Sequence, residues 1–166
     1  MSEPKKEDLI ALYRATSKAN PKPEDVKALR GYLAKYPETL QAFGDLSVQV
    51  ERRMLETAFS NNKAGDIATD EYMHNMRKGL GYDTASPVER PLIQHVVLCW
   101  LRLQLTENRY EARQQESLSL AQGLYWEKKL SANQRRYLRA IETLARIRKL
   151  NINIQVNVAE KMVVTG

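Results

Sequence analysis

The chain has 166 residues, of which 43% are hydrophobic and 28% are charged, and its formal net charge is +6. This length suits one medium domain or two small ones, and the hydrophobic fraction is sufficient for a packed core. The 7 glycines and 6 prolines are too few for an all-β sandwich or for long disordered linkers, and the moderate basic excess permits a polyanionic partner without requiring one.

The single cysteine, Cys99, excludes a disulfide within one chain and indicates a reducing compartment. No apolar stretch approaches the ~20 residues that a membrane-spanning helix needs. The first residues, MSEPKKEDL, lack the apolar segment of a secretory signal. We therefore expect a cytoplasmic protein without a membrane partner.

The first half of the chain predicts a bundle of short helices. Helices are predicted over residues 5–18, from Pro23, from Pro37 to about Phe59, and over residues 70–78. The polar segment 61–66 has the composition of a loop, and Gly79 and Gly81 can close the helix that follows it.

The second half predicts a long antiparallel helical hairpin, with helices over roughly 87–115 and 119–150. Ser86 followed by Glu89, and Ser119 followed by Gln122, have the spacing of a capping box. Ser131 followed by Gln134 offers a third, at which the second helix can break. Two neighbouring apolar stripes run through the first helix, which indicates burial on more than one side. The predicted inner face of the second helix is Trp126, Leu130, Tyr137, Ile141 and Leu144.

The segment 151–158 alternates polar and apolar residues without interruption, which is the pattern of a β-strand. Its apolar residues are Ile152, Ile154, Val156 and Val158. A lone strand leaves its backbone groups without a ladder, so we expect several copies to share one intersubunit sheet or barrel through these residues. The alternative is a tail that packs on its own helices or frays in the monomer.

No residue pattern indicates catalysis, so we expect no enzymatic activity and no cofactor. His95 and Cys99 lie four residues apart, but two ligands do not make a metal site, and core positions explain them better. The carboxylates of Glu107, Glu111 and Glu116 are spread along a polar stretch and do not converge. The sequence contains neither a phosphate-binding glycine loop nor a nucleophile elbow.

Basic residues are concentrated along the second helix of the hairpin, over residues 128–149, with Glu142 as the single acid among them. They are Lys128, Lys129, Arg135, Arg136, Arg139, Arg146, Arg148 and Lys149. Of these residues, Arg135, Arg139, Arg146 and Lys149 fall close to one helical face. A helix with such a basic stripe can follow the phosphates of double-stranded DNA. A solvated basic face is the alternative.

The predicted domain organisation has three parts. Residues 1–66 form an N-terminal helical unit. Because its helices are short and rich in lysine, this unit is a candidate DNA-binding unit of helix-turn-helix type. Residues 67–150 form a hairpin for oligomerisation, and residues 151–166 form the C-terminal β segment. The expected fold class is therefore mainly α with one terminal strand.

This order of parts resembles the small terminase subunits of tailed bacteriophages. The resemblance implies an N-terminal unit that binds DNA, a hairpin that assembles a ring, and β segments that can close a barrel. It also implies recognition of viral DNA for packaging, with a large ATP-driven terminase subunit as partner, and a location in the host cytoplasm. The run RRYLRAIETLARIRKL, followed by IQVNVAEK, is in addition similar to uncharacterised helical proteins of bacterial genomes.

The sequence thus predicts a non-enzymatic DNA-binding homo-oligomer that resembles a small terminase subunit. The same features also fit a second hypothesis from another class of protein. In that hypothesis the chain is a structural or adaptor oligomer that binds protein partners through the hairpin and the strand, without nucleic acid.

Overall fold

A computed structural model describes the backbone of residues 6–115 and 117–164 and the side chains of these residues except 6–8, 38, 41–42 and 151–164. The described chain is mainly helical, as predicted. Seven α-helices follow one another: α1 Lys6–Thr16, α2 Pro23–Lys35, α3 Pro37–Gly44, α4 Leu46–Ala58, α5 Lys63–Gly79, α6 Glu89–Gln114 and α7 Leu120–Val164. A short 3₁₀ turn, Tyr82–Thr84, lies between α5 and α6.

The chain divides into two compact units, Met1–Gln49 and Val50–Gly166. In the first unit, α1 packs on α2 and α2 packs on α3. The rings of Tyr13 and Phe43 lie 5.0 Å apart between centroids, but α2 contains no fully buried residue. This unit therefore has little core of its own.

The core of the second unit lies on both sides of α6. On one side, Ile93, Val96 and Cys99 pack against Ala140 and Leu144 of α7. On the other, a second cluster joins α4, α5 and α6 through Leu55, Met73, Val97 and Leu101. The predicted burial of α6 on more than one side is confirmed. Each Ile, Val, Leu or Met side chain of these clusters contributes roughly 1.5–3 kcal/mol to folding when fully buried.

Helices α6 and α7 form the predicted antiparallel hairpin. Glu89 at the start of α6 contacts Arg148 far along α7, whereas Tyr110 near the end of α6 donates a 2.8 Å hydrogen bond to Glu127 near the start of α7. The inner face of α7 is as predicted at Leu144, which is buried, but not at Ile141, which is 40% exposed.

The capping boxes predicted at Ser86 and Ser119 are present, but the third, predicted at Ser131, starts no helix, because α7 runs through it without a break. The Ser86 amide donates to Glu89 Oε2 at 3.0 Å, and the Glu89 amide donates back to Ser86 Oγ at 3.3 Å. Ser119 and Gln122 exchange the equivalent bonds at 3.0 and 3.3 Å. These bonds satisfy amide donors that have no partner within the helix, and so fix where α6 and α7 begin.

Two predicted boundaries in the first half are wrong. The helix predicted from Pro37 to Phe59 is divided at Asp45, whose carboxylate accepts the Ser47 amide at 2.9 Å and caps α4. The predicted loop 61–66 is partly helical, because the Asn62 side chain accepts the Gly65 amide at 2.9 Å and starts α5 seven residues early.

The predicted strand over 151–158 is not seen, because α7 continues through this segment as a helix to Val164. No β-strand occurs within residues 6–115 and 117–164. A helix that already exists gains one backbone hydrogen bond for each residue it adds. A strand in a single chain has no ladder to join. The side chains of Ile152, Ile154, Val156 and Val158 lie outside the described residues.

Candidate nucleic-acid interface

Five of the eight predicted basic residues lie on the exposed side of α7. Lys128, Arg135, Arg139 and Arg146 fall within an arc of about 40° at 3.6 residues per turn, and Lys149 lies about 60° from its centre. We call these five residues the basic face. All five side chains are exposed, and none forms an ion pair with another residue of the described chain.

The basic face is a long, continuous array. Lys128 and Lys149 are separated by about 32 Å along the helix axis, at 1.5 Å per residue. No proline interrupts α7, and its single glycine, Gly123, precedes the array. Glu142 lies on the same side of the helix and is exposed, so the array contains one negative charge. The helix thus holds several uncompensated cations in line and open to solvent.

Lys129 and Arg136 lie on another side of α7, about 80–100° away from Lys128 at 3.6 residues per turn. The Lys129 ammonium lies 4.8 Å from the centroid of the Trp126 ring, and Arg136 Nη1 donates a 3.4 Å hydrogen bond to Asn133 Oδ1. Both residues line a cleft between α4, α6 and α7. They are therefore directed away from the basic face.

Arg148 is held by the protein itself. Its Nε donates to Glu89 Oε1 at 3.2 Å, and its Nη2 donates to the Leu80 carbonyl at 2.5 Å. The hydrogen bonds from Ser86, followed by the interaction with Arg148, hold the pKa of Glu89 below its ordinary value. Arg148 thus joins the end of α5 and the start of α6 to α7.

His95 and Cys99 lie one turn apart on α6, and the distance from His95 Nε2 to Cys99 Sγ is 3.5 Å. Cys99 is buried and His95 is exposed, and burial raises the pKa of the Cys99 thiol. Within the described part of the chain, no group of three or more histidine, cysteine or acidic residues is arranged to hold a metal ion.

Three arginines that the sequence did not single out also line the cleft: Arg53 on α4, and Arg102 and Arg109 on α6. The spacing of seven residues between Arg102 and Arg109 repeats that between Lys129 and Arg136. Residues seven apart share a helical face. This repetition is the signal available in the sequence, but only the packing of α6 on α7 shows that the two pairs meet.

No family model, curated protein or solved structure matches this chain. Among the described helices, none is both long enough and apolar enough to cross a lipid bilayer.

Proposed function

We propose that the protein is a non-enzymatic DNA-binding protein whose basic face contacts the phosphates of double-stranded DNA. The observation that carries this proposal is the array of five exposed cations, none of them paired with another described residue, along about 32 Å of one uninterrupted helix. Each phosphate that such a cation neutralises releases condensed counterions, and that release supplies affinity without regard to sequence. The cations that face the cleft and Arg148 are left out of this interface.

The proposal includes self-assembly and a packaging role of the small-terminase kind. Leu138 and Ile141 on α7 are 50% and 40% exposed, which favours a protein partner along this helix. In an assembly, other copies can supply the ladder that residues 151–158 lack in a single chain, so that Ile152, Ile154, Val156 and Val158 pair as strands. A large ATP-driven subunit would then receive the bound DNA.

The interface is tested by removing three of its charges together. The variant carries Arg135→Gln, Arg139→Gln and Arg146→Gln, and its affinity for a labelled DNA duplex is measured by fluorescence anisotropy at low salt. We expect the affinity to fall by about tenfold or more for each lost phosphate contact.

The control removes three exposed charges from the first unit, through Arg14→Gln, Lys27→Gln and Arg30→Gln. This variant has the same net charge as the first, so a general charge effect lowers both affinities equally. Equal losses, from a general charge effect or from a first unit that also binds DNA, would contradict an interface confined to the basic face.

Assembly is tested by light scattering of the full chain and of a chain that ends at Leu150. The proposal expects an oligomer that loses copies when residues 151–166 are removed. A monomer in both cases contradicts the shared strand.

An adaptor that binds only protein is the second candidate, favoured by the same exposed residues Leu138 and Ile141. In that case, reversing Arg135, Arg139 and Arg146 to glutamate leaves partner binding unchanged, and the wild-type protein fails to bind DNA even at low salt.

A further inference from the structure

A cleft of about 620 Å³ lies between α4, α6 and α7, all within the second unit. Each helix contributes residues at positions i, i+3, i+4 and i+7, which is the spacing of one helical face. The lining residues are Val50, Arg53, Met54 and Thr57 from α4; Arg102, Leu105, Thr106 and Arg109 from α6; and Lys129, Ala132, Asn133 and Arg136 from α7.

The middle of the cleft is fixed by a buried hydrogen bond between α6 and α7. Asn133 Nδ2 donates to Thr106 Oγ1 at 2.8 Å, and the two residues are 3% and 6% exposed. Thr106 in turn donates to the Arg102 carbonyl at 2.8 Å. Both polar side chains are therefore satisfied, and they set the register of the hairpin at this level.

That register places a pair of cations at each end of the cleft. Because α6 and α7 are antiparallel, Arg102 lies level with Arg136 on one side of the central bond. Arg109 lies level with Lys129 on the other side, about 10 Å away along the axes. The pKa of Cys99 reflects the first pair, since the charges of both Arg102 and Arg136 act to lower it, against the larger effect of burial.

Within the described part of the chain, no acidic residue balances the charge of the cleft. Five of its lining residues are cationic and none is acidic. None of the five forms an ion pair with another described residue. Arginine does not lose its proton in proteins, so four of the five charges cannot be relieved by titration. A bound anion would relieve their mutual repulsion and would therefore stabilise the fold.

The floor of the cleft limits the kind of anion. Met54, Leu105 and Ala132 present apolar surface between the cationic ends, and small polar groups lie beside them. The volume lies within the range of about 300–1,000 Å³ that is usual for small-molecule sites. An inorganic ion would leave the apolar floor uncovered, whereas an organic anion would cover it while its charged groups reach the arginines.

We propose that this cleft binds a small phosphorylated organic molecule that carries at least two negative charges. Its apolar body lies on Met54, Leu105 and Ala132, and its phosphate groups contact the cations at the ends. The site goes beyond the DNA-binding proposal, because it shares no residue with the basic face and opens on a different side of α7.

The first measurement is thermal unfolding of the whole chain with three probes at equal ionic strength: adenosine triphosphate, inorganic triphosphate and sulfate. We expect the unfolding temperature to rise saturably with both phosphate probes, and half-saturation to occur at a lower concentration for adenosine triphosphate. A rise no larger than that with sulfate, or equal half-saturation for the two phosphate probes, overturns the proposal.

The second measurement uses the variant with Arg102→Gln and Arg109→Gln, which removes one charge from each end of the cleft and leaves the hydrogen bond from Arg136 to Asn133 in place. Without a ligand, this variant should unfold at the same or a higher temperature, since repulsion is reduced. Its affinity for adenosine triphosphate, measured by calorimetry, should fall by about tenfold or more for each charged contact removed.

The matched control carries Arg146→Gln and Lys149→Gln on the basic face and loses the same charge. It should keep the affinity for adenosine triphosphate within about twofold, because both exposed charges lie roughly 15–20 Å along α7 from Arg136, beyond the Debye length of about 10 Å. Equal losses in both variants mean a general charge effect and overturn the site. A lower unfolding temperature of the cleft variant without ligand also overturns it, because these arginines would then serve the fold.

Discussion

Arg77 on α5 supplies the charge that compensates a buried carboxylate on α4. Its Nη2 donates to Glu51 Oε2, its Nε donates to Gln94 Oε1 at 2.6 Å, and Gln94 Nε2 donates to Glu51 at 3.1 Å. Glu51 and Gln94 are 6% and 5% exposed. Replacing Arg77 by methionine keeps much of the side-chain volume but leaves the Glu51 carboxylate buried with a single donor.

The cost of this change follows from the burial of Glu51. Breaking a buried ion pair by removal of one partner destabilises a protein by about 3–5 kcal/mol, because the charge left behind stays uncompensated. The Arg77 side chain is 16% exposed and that of Glu51 only 9%, so the carboxylate is the group with less access to water. We therefore expect a loss of about 3–5 kcal/mol for Arg77→Met.

Urea unfolding followed by circular dichroism measures this loss. The matched control is Arg52→Met on α4, which breaks an exposed pair with Glu56 whose atoms lie 2.9 Å apart. Exposed pairs within one helix contribute little. The expected result is therefore a far larger loss for Arg77→Met than for Arg52→Met. Similar losses for the two variants would refute the view that Glu51 depends on Arg77.

Three further predictions concern the hairpin. Hydrogen bonds from Ser86 lower the pKa of Glu89 below its ordinary 4.5, so this carboxylate stabilises the fold above that pH and the contribution disappears as the pH falls through the lowered pKa. Glu89→Gln should weaken the pH dependence of urea unfolding in this acid range, and an unchanged profile would argue against it. Asn133→Ala should cost about 1–3 kcal/mol, because it removes a buried partner of Thr106, and an unshifted urea midpoint would exclude that role. Burial raises the pKa of the Cys99 thiol, so iodoacetamide should label it at neutral pH only after unfolding, and rapid labelling of the folded protein would contradict its burial.

The sequence was most informative where a local hydrogen bond decides the structure. Ser86 and Ser119 each precede a residue of the right kind at the right distance, and both cap their helices. The same chemistry also explains two errors. Asp45 and Asn62 are residue types common in loops as well as at helix starts, and only the structure shows that they cap α4 and α5.

The tail shows a different limit of sequence patterns. Alternation over residues 151–158 reports which residues would share a face of a strand, but it does not supply the neighbouring strand. In the single chain, the preceding helix supplies a hydrogen-bonded end on which these residues continue. Whether residues 151–158 form a helix or a strand therefore depends on partner strands, which the sequence of one chain does not contain.

The directions of most basic residues could be predicted from the sequence, because helical rotation alone separates Lys129 and Arg136 from Arg135 and Arg139. The direction of Arg148 could not, because its pairing with Glu89 joins residues 59 positions apart. The cleft requires three helices to align their faces at one level, and this alignment depends on core packing between distant segments. No local pattern encodes it.

The salt dependence of DNA affinity tests the proposed function most directly. Five phosphate contacts predict a slope of about −4.5 in a plot of log affinity against log salt concentration, which is about a 500-fold loss between 50 and 200 mM salt. With Arg135, Arg139 and Arg146 changed to glutamine, two contacts are left, and the slope should fall to about −1.8. Absence of binding at 50 mM salt, or the same slope in the variant, would contradict the assignment of DNA binding to α7.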